Sequence, residues 1–224
     1  MPKLPVITDA RVEQYMLDLV ESTGQKGLPP DAAPVFNEME ALADRTHFPI
    51  VGPHVGRALG MHAGLIGARR IVDLGCGFGY SALWLAAGAG AGAEVICVDT
   101  NPDNLQRAKA FHQRAGLAVD FEYRNVDAFD MLELDPGPFD VVVCDVEKEL
   151  YPGVCRLAIP RLRPGGLYMA ASALWCGKVA VFGATWDAWT TAVHQHNDWL
   201  FRQDNLFTQL YDQGDGLIVS VRSS

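Results

Sequence analysis

Positive charge is scarce in this chain: 18 Lys and Arg stand against 27 Asp and Glu, a formal net charge of -9 over 224 residues. Nucleic acid and anionic membrane surfaces recruit Lys and Arg in excess, so neither is expected as a partner. Long apolar runs are also missing. No segment approaches 18 consecutive strongly apolar residues, and the charge-free stretch Gly75 to Ala93 is mostly Gly and Ala, too weak for a membrane span. The opening MPKLPVITDARVEQYM lacks the apolar core of a secretory signal. The five cysteines, Cys76, Cys97, Cys144, Cys155 and Cys176, include no C-x-x-C pair, which removes the usual zinc and dithiol motifs. Most of them fall in strand-like runs, as buried small hydrophobes do, and suit a reducing, cytoplasmic location. There is no internal repeat and no low-complexity tail. What remains is 49% apolar, enough for a single domain over 1–224 with a large core.

From Arg69 onward, short β-branched runs alternate with helical patterns: RRIVDLG, SALWLAA, EVICVD, PDNLQRAKAFHQRAG, VDFEYR, FDVVVCD, a further helix, then GGLYMAA. Strands separated by helices predict a mostly parallel sheet with helices on both faces. Asn101 as N-cap, Pro102 at the first helical position and Gly116 at the end delimit one helix closely. A later helix carries Trp186, Trp189 and Val193. After it, LFTQLYD and GLIVSVR flank the turn Gln213-Gly214-Asp215 and must pair antiparallel, because a parallel return needs a crossover. Residues 1–65 read as a helical cap, broken at Leu28-Pro29-Pro30 and by a loop at HFPIVGPH, on a cofactor-binding core over 66–224.

VDLGCGFGYS places Gly75, Gly77 and Gly79 directly after a strand and before a helix, where bare backbone can approach a nucleotide-like ligand. Twenty residues on, Asp99 ends the next strand, where a carboxylate can accept from both ribose hydroxyls. A dinucleotide fingerprint wants a third glycine where Tyr80 stands. Asp73, two residues before the first glycine, suits a cationic amino group better than a pyrophosphate. Both observations favour S-adenosylmethionine over a nicotinamide cofactor.

DLGCGFGYSALWLA, VDTNPDNLQRAKAFHQRAGL, FDVVVCDVEKELYPGVCRLAIPRLRPGG, LWCGKVA and GDGLIVSV together resemble the catechol and caffeoyl-CoA type O-methyltransferases. The resemblance runs from about Ala68 to Arg222 and is loose upstream. It implies a Rossmann-like class I methyltransferase fold with a seven-stranded sheet, S-adenosylmethionine as cofactor, a small-molecule methyl acceptor and a homodimer. Carried over by position, Asp73 holds the methionine amino group, Ser81 its carboxylate, Asp99 the ribose, and Asp127 with Ala128 the adenine edge. Gly75, Gly77 and Tyr80 complete the cofactor loop. Lys148 matches the catalytic lysine. The family also binds a divalent cation through the first Asp of an Asp-x-Asp-Lys motif and an adjacent Asp-Asn pair on the next strand. Asp145 matches the first, but the pair falls on Ala171-Ser172.

A methyl and a hydroxyl do not replace a carboxylate and an amide, since hard cations want several oxygens. The expectation is therefore no metal, with Asp145 kept for catalysis or a cofactor hydrogen bond. Lys148 then serves as a base or as a cation beside an ionised acceptor hydroxyl, and an amine acceptor is a further option. Trp175, just beyond the strand end, and His54, on the upstream loop with His47, are candidate substrate contacts. His194-x-His196 is metal-like in spelling only, because residues two apart on a helix face different ways, and both are expected to be solvated. Two other readings stay open: an S-adenosylmethionine-binding protein without activity, and a metal-dependent catechol-type enzyme.

Overall fold

Four strands apolar on both faces demand cover on both faces, and the computed structural model, which describes residues 10–22, 28–181 and 186–223, supplies it. The strands are β1 (Arg70–Leu74), β2 (Glu94–Val98), β3 (Asp120–Arg124), β4 (Phe139–Cys144), β5 (Leu162–Ala170), β6 (Leu206–Tyr211) and β7 (Leu217–Arg222). They form one sheet in the order β3-β2-β1-β4-β5-β7-β6. The first five are parallel, and β7 runs antiparallel between β5 and β6. The expected parallel sheet with a closing hairpin is what the chain forms.

The helices are α1 (Ala10–Ser22), α2 (Ala32–Thr46), α3 (Gly52–Leu65), α4 (Tyr80–Ala89), α5 (Pro102–Ala115), α6 (Ala128–Leu134), α7 (Tyr151–Ala158) and α8 (Ala188–Phe201). Helices α3, α4 and α5 pack on one face of the sheet, with α6, α7 and α8 on the other. Helix α2 lies outside α4, its Phe36 ring 4.3 Å from Trp84. Helices α3 and α4 touch through glycine: a Cβ on Gly88 would stand 1.9 Å from the Gly60 carbonyl oxygen. Backbone contact that close fixes α3, and with it the 47–51 segment that precedes it.

Helix α5 begins and ends as its sequence dictates. The Asn101 side chain accepts from Asp103 N at 3.0 Å, Pro102 opens the helix, and Gly116 closes it at φ 62°. Elsewhere the boundaries differ from expectation. The HFPIVGPH loop is shorter, because Gly52 and Pro53 already begin α3 and carry His54 into the helix. Trp186 lies before α8, whose N-cap is Asp187. His196 is buried rather than solvated: it sits between the Tyr168 hydroxyl at 3.0 Å and Asn197 Oδ1 at 2.9 Å. Burial lowers its pKa to about 4, so it is a neutral core residue.

The chain winds outward from β1 to β3 and then returns to β4 on the other side of β1. At such a switch point the loops after neighbouring strands diverge and leave a crevice. Leu74 is in register with both Val98 and Cys144, so the segments after β1, β2 and β4 start at one level around it.

Candidate active site

The crevice is a cavity of about 590 Å³. One end is built by the glycine loop, Asp99, Asn101, Asn104 and the Val126-Asp127-Ala128 turn. The other is built by Asp145 to Lys148, Ser172, Trp175 and Trp189. Residues 48–51 close one side, whereas neither His47 nor His54 is among the lining residues. His47 is the left-handed end of α2, and His54 is turned into α3.

Gly75 adopts φ 83°, and a Cβ there would stand 2.3 Å from the Asp145 carbonyl oxygen, so only glycine fits between the ends of β1 and β4. The N–H groups of Gly75 and Cys76 both donate to Val98 O, at 2.9 and 3.0 Å. Gly77 N donates to Asp99 Oδ2 at 2.9 Å, while Asp99 Oδ1 accepts from Asn101 N at 2.8 Å and Asn104 Nδ2 at 3.2 Å. Asp99 therefore pins the loop that it also faces across the cavity.

Asp73 lies beneath that loop with no solvent exposure. Ser81 Oγ donates to its Oδ2 at 2.6 Å, and its Oδ1 has no hydrogen-bond partner. Burial raises the Asp73 pKa to about 8. A buried carboxyl oxygen without a partner is costly unless something else satisfies it. Tyr80 lines the cavity at the start of α4, but its hydroxyl is committed to Glu40 Oε1 at 2.6 Å and its titration is pushed upward by burial. Asp127 is the N-cap of α6, its Oδ1 accepting from Phe129 N and Asp130 N at 2.8 and 2.9 Å. With Ala128 and Val126 it forms the floor beyond Asp99.

At the opposite end the polar groups are closed on one another. Lys148 Nζ donates to Asp145 Oδ1 at 2.9 Å, to the Tyr151 hydroxyl at 2.6 Å and, more weakly, to Val146 O at 3.4 Å. Those are the three N–H bonds an ammonium has. The Tyr151 hydroxyl in turn lies 3.0 Å from Ala171 O and 3.2 Å from Asp145 Oδ1. Tyr151 and Ala171 are both buried. Ser172, Trp175 and Cys176 all have left-handed backbone, φ 49–54°, unusual outside glycine and asparagine. The hairpin turn holds that segment: Leu174 N donates to Asp215 O at 2.9 Å and Cys176 N to Asp215 Oδ1 at 2.5 Å. The Trp175 and Trp189 rings meet nearly edge to face, 5.6 Å apart.

The cavity thus brings together Gly75, Gly77, Tyr80, Ser81, Asp99, Asp127, Ala128, Asp145, Lys148 and Trp175, with Asp73 directly below. Two contributors escape sequence reasoning. Tyr151 is signalled only by standing one turn after Lys148. Trp189 looks like a core residue on its helix, yet it is 48% exposed and forms a cavity wall. A divalent cation does not fit this donor set. The β5 end offers one hydroxyl and no carboxylate, the Asp145 carboxylate already holds an ammonium, Glu147 is the other carboxylate lining this end, and no cluster of three or more His, Cys, Asp or Glu suited to a metal occurs among the described residues.

A doubly wound sheet with a glycine loop and an acid at the next strand end defines a Rossmann-like enzyme of the nucleotide-cofactor class. Residues 31–223 match the O-methyltransferase family, and the chain belongs to that family. A catechol O-methyltransferase of Mycobacterium tuberculosis is 33% identical over 142 residues, 62% of this chain and 64% of that protein. One from Niastella koreensis is 32% identical over 133 residues, 58% of this chain and 60% of that protein. The matches therefore span a little under two thirds of the length of these relatives. The solved O-methyltransferase of Bacillus cereus in complex with SAH superposes with a TM-score of 0.77 at 22% identity, covering 95% of this chain and 97% of that one. That likeness concerns the fold.

Proposed function

We propose that this O-methyltransferase family member transfers a methyl group from S-adenosylmethionine to a small-molecule hydroxyl without a divalent cation. The observation that carries the reading is the unpaired Oδ1 of buried Asp73 beneath the glycine loop. A bound amino-acid ammonium would satisfy it, at the cost of the proton that burial places there in the empty protein. Ser81 would turn its hydroxyl toward the cofactor carboxylate, Asp99 would accept from the ribose, and Asp127 with Ala128 would border the adenine. SAH is the demethylated product of this cofactor, and the Bacillus cereus structure of the same fold contains it.

When bound, the cofactor supplies an electrophilic methyl on sulfonium sulfur, and the protein's contribution is largely position. Holding nucleophile and methyl in line is worth up to about 7–11 kcal/mol in effective-molarity terms. Ionising a phenol of pKa about 10 near pH 7.4 costs roughly 3.5 kcal/mol. Lys148 is arranged to offset part of that as a fixed cation. Its three N–H bonds go to Asp145, Tyr151 and Val146, which fixes the position of the nitrogen. Asp145 and Tyr151 hold it at the end of β4.

Two further proposals accompany this one. The 65 N-terminal residues act as a cap over the core at 66–224. The chain works as a cytoplasmic homodimer, supported by five unpaired cysteines, by the absence of a helix long and apolar enough to cross a membrane among the described residues, and by exposed Tyr15, Met16, Met61 and Leu65 on α1 and α3. Light scattering giving a monomer mass would remove the dimer. Calorimetry tests the main reading: SAH should bind with micromolar affinity, and failure to bind would overturn it. Binding without turnover on any acceptor would instead support an inactive cofactor-binding protein.

A further inference from the structure

The relatives above are named for catechol, a ring with two adjacent hydroxyls. Two adjacent oxygens are worth recognising where a centre can take both at once. The acceptor end of this cavity has no such centre. Its positive charges are the Lys148 ammonium, whose N–H groups go to Asp145, Tyr151 and Val146 and which lies 5.8 Å from the Trp175 ring centroid, and the Lys178 ammonium, 5.3 Å from the same ring. Across from it, the Ala171 carbonyl already faces the Tyr151 hydroxyl, and Ser172 contributes one hydroxyl on a constrained left-handed backbone. Among the described residues the rest of the lining at this end is Glu147, Leu150 and two tryptophans. Trp175 is held in place by the Asp215 turn, with Trp189 set across it at 64°. With ammonium groups over Trp175, the exposed Trp189 ring offers the open indole surface, and contact with it is indifferent to where a planar acceptor carries its second substituent.

We infer that the acceptor is a planar aromatic compound recognised through its ring and one reacting hydroxyl, so that a second hydroxyl beside the first confers no advantage. The inference deepens the proposed methyl transfer and rests on it. In the step, an oxygen lone pair forms the C–O bond as the C–S bond breaks, the C–S electrons remain on sulfur to give SAH, and the hydroxyl proton passes to water. Nothing in that balance calls on a neighbouring oxygen.

The test pairs two isomers, 1,2- and 1,3-dihydroxybenzene, which share size and ring but differ in adjacency. Methyl transfer from S-adenosylmethionine by the full chain is measured in chelator and again with millimolar magnesium, and binding of each isomer to SAH-saturated protein is measured by calorimetry. The expected result is kcat/KM values within tenfold of each other under both conditions, and KM for both isomers raised at least fivefold by Trp189→Ala with a smaller change in kcat. Preference for the 1,2-isomer by more than tenfold would overturn the inference. So would unchanged KM values in Trp189→Ala, or SAH binding in a protein that neither binds nor methylates either isomer. Absence of SAH binding would instead bring down the methyl-transfer reading beneath it.

Discussion

The two ends of one cavity handle their carboxylates in opposite ways. Under the glycine loop, Asp73 keeps a buried oxygen without a partner, and Asp99 accepts from Gly77 of that loop and from Asn101 and Asn104 at the start of α5. At the ends of β4 and β5, Asp145 is paired with Lys148, and Lys148 and Ala171 are bridged by Tyr151. An open carboxyl waits for a ligand, whereas a closed cluster is complete without one. On the proposed reading a cofactor finishes the first end, and Lys148 serves as the cation of the second.

The largest effect separating the two ends should come from Asp73→Asn. Leaving the cofactor ammonium without its buried counter-charge costs on the order of 3–5 kcal/mol, so SAH affinity at pH 8 should fall at least about 100-fold by calorimetry. Wild type should also be pH-dependent. Burial lifts Asp73 from 3.8 to about 8, so below pH 8 the cofactor must displace a proton, and affinity should rise by up to about tenfold per unit from pH 6 toward 8. The stability of the empty protein carries the opposite sign. The folded carboxyl keeps a proton that the unfolded chain has lost, a contribution complete below about pH 3.8 and gone as pH rises through 8. Asp73→Asn should flatten both slopes, and an unchanged profile would detach Asp73 from the cofactor.

Tyr151→Phe addresses the closed end. It strips a hydroxyl from Lys148 and from the Ala171 carbonyl, and denaturant unfolding should show a loss of about 1–3 kcal/mol. A loss below about 0.5 kcal/mol would mean that the cluster is not closed in solution. Smaller again is Asp99→Ala. Losing charge-assisted bonds to the ribose should weaken SAH roughly tenfold, and equal affinities would remove Asp99 from the site.

How far these two ends were legible in the sequence follows from how local their causes are. The glycine loop, Asp99 and the Asn101 to Gly116 helix are written in adjacent residues, because a strand end, a cap, a proline and a terminal glycine act within a turn of one another. That Ala171-Ser172 stand where the family carries an Asp-Asn pair is read from the resemblance alone. Three features needed the tertiary structure. Tyr151 closes the Lys148 cluster only because α7 packs where β5 ends. His196 is buried only because Tyr168 and Asn197 supply its partners. Trp189 leaves the core because the 172–177 segment, bent through left-handed residues, brings Trp175 up against it. His54 fails in a different way, since Pro53 at the first turn of α3 draws it out of the loop.

The proposed mechanism puts an ammonium, rather than a divalent ion, in the charge position at the end of β4. It is tested most directly by titrating magnesium or calcium into chelator-dialysed, SAH-loaded protein, a measurement that needs no acceptor. Wild type should show no stoichiometric binding up to millimolar concentration, and Ala171→Asp combined with Ser172→Asn should gain affinity. One tightly bound ion per wild-type chain, lost in Asp145→Asn, would contradict that mechanism and return the chain to the metal-dependent reading.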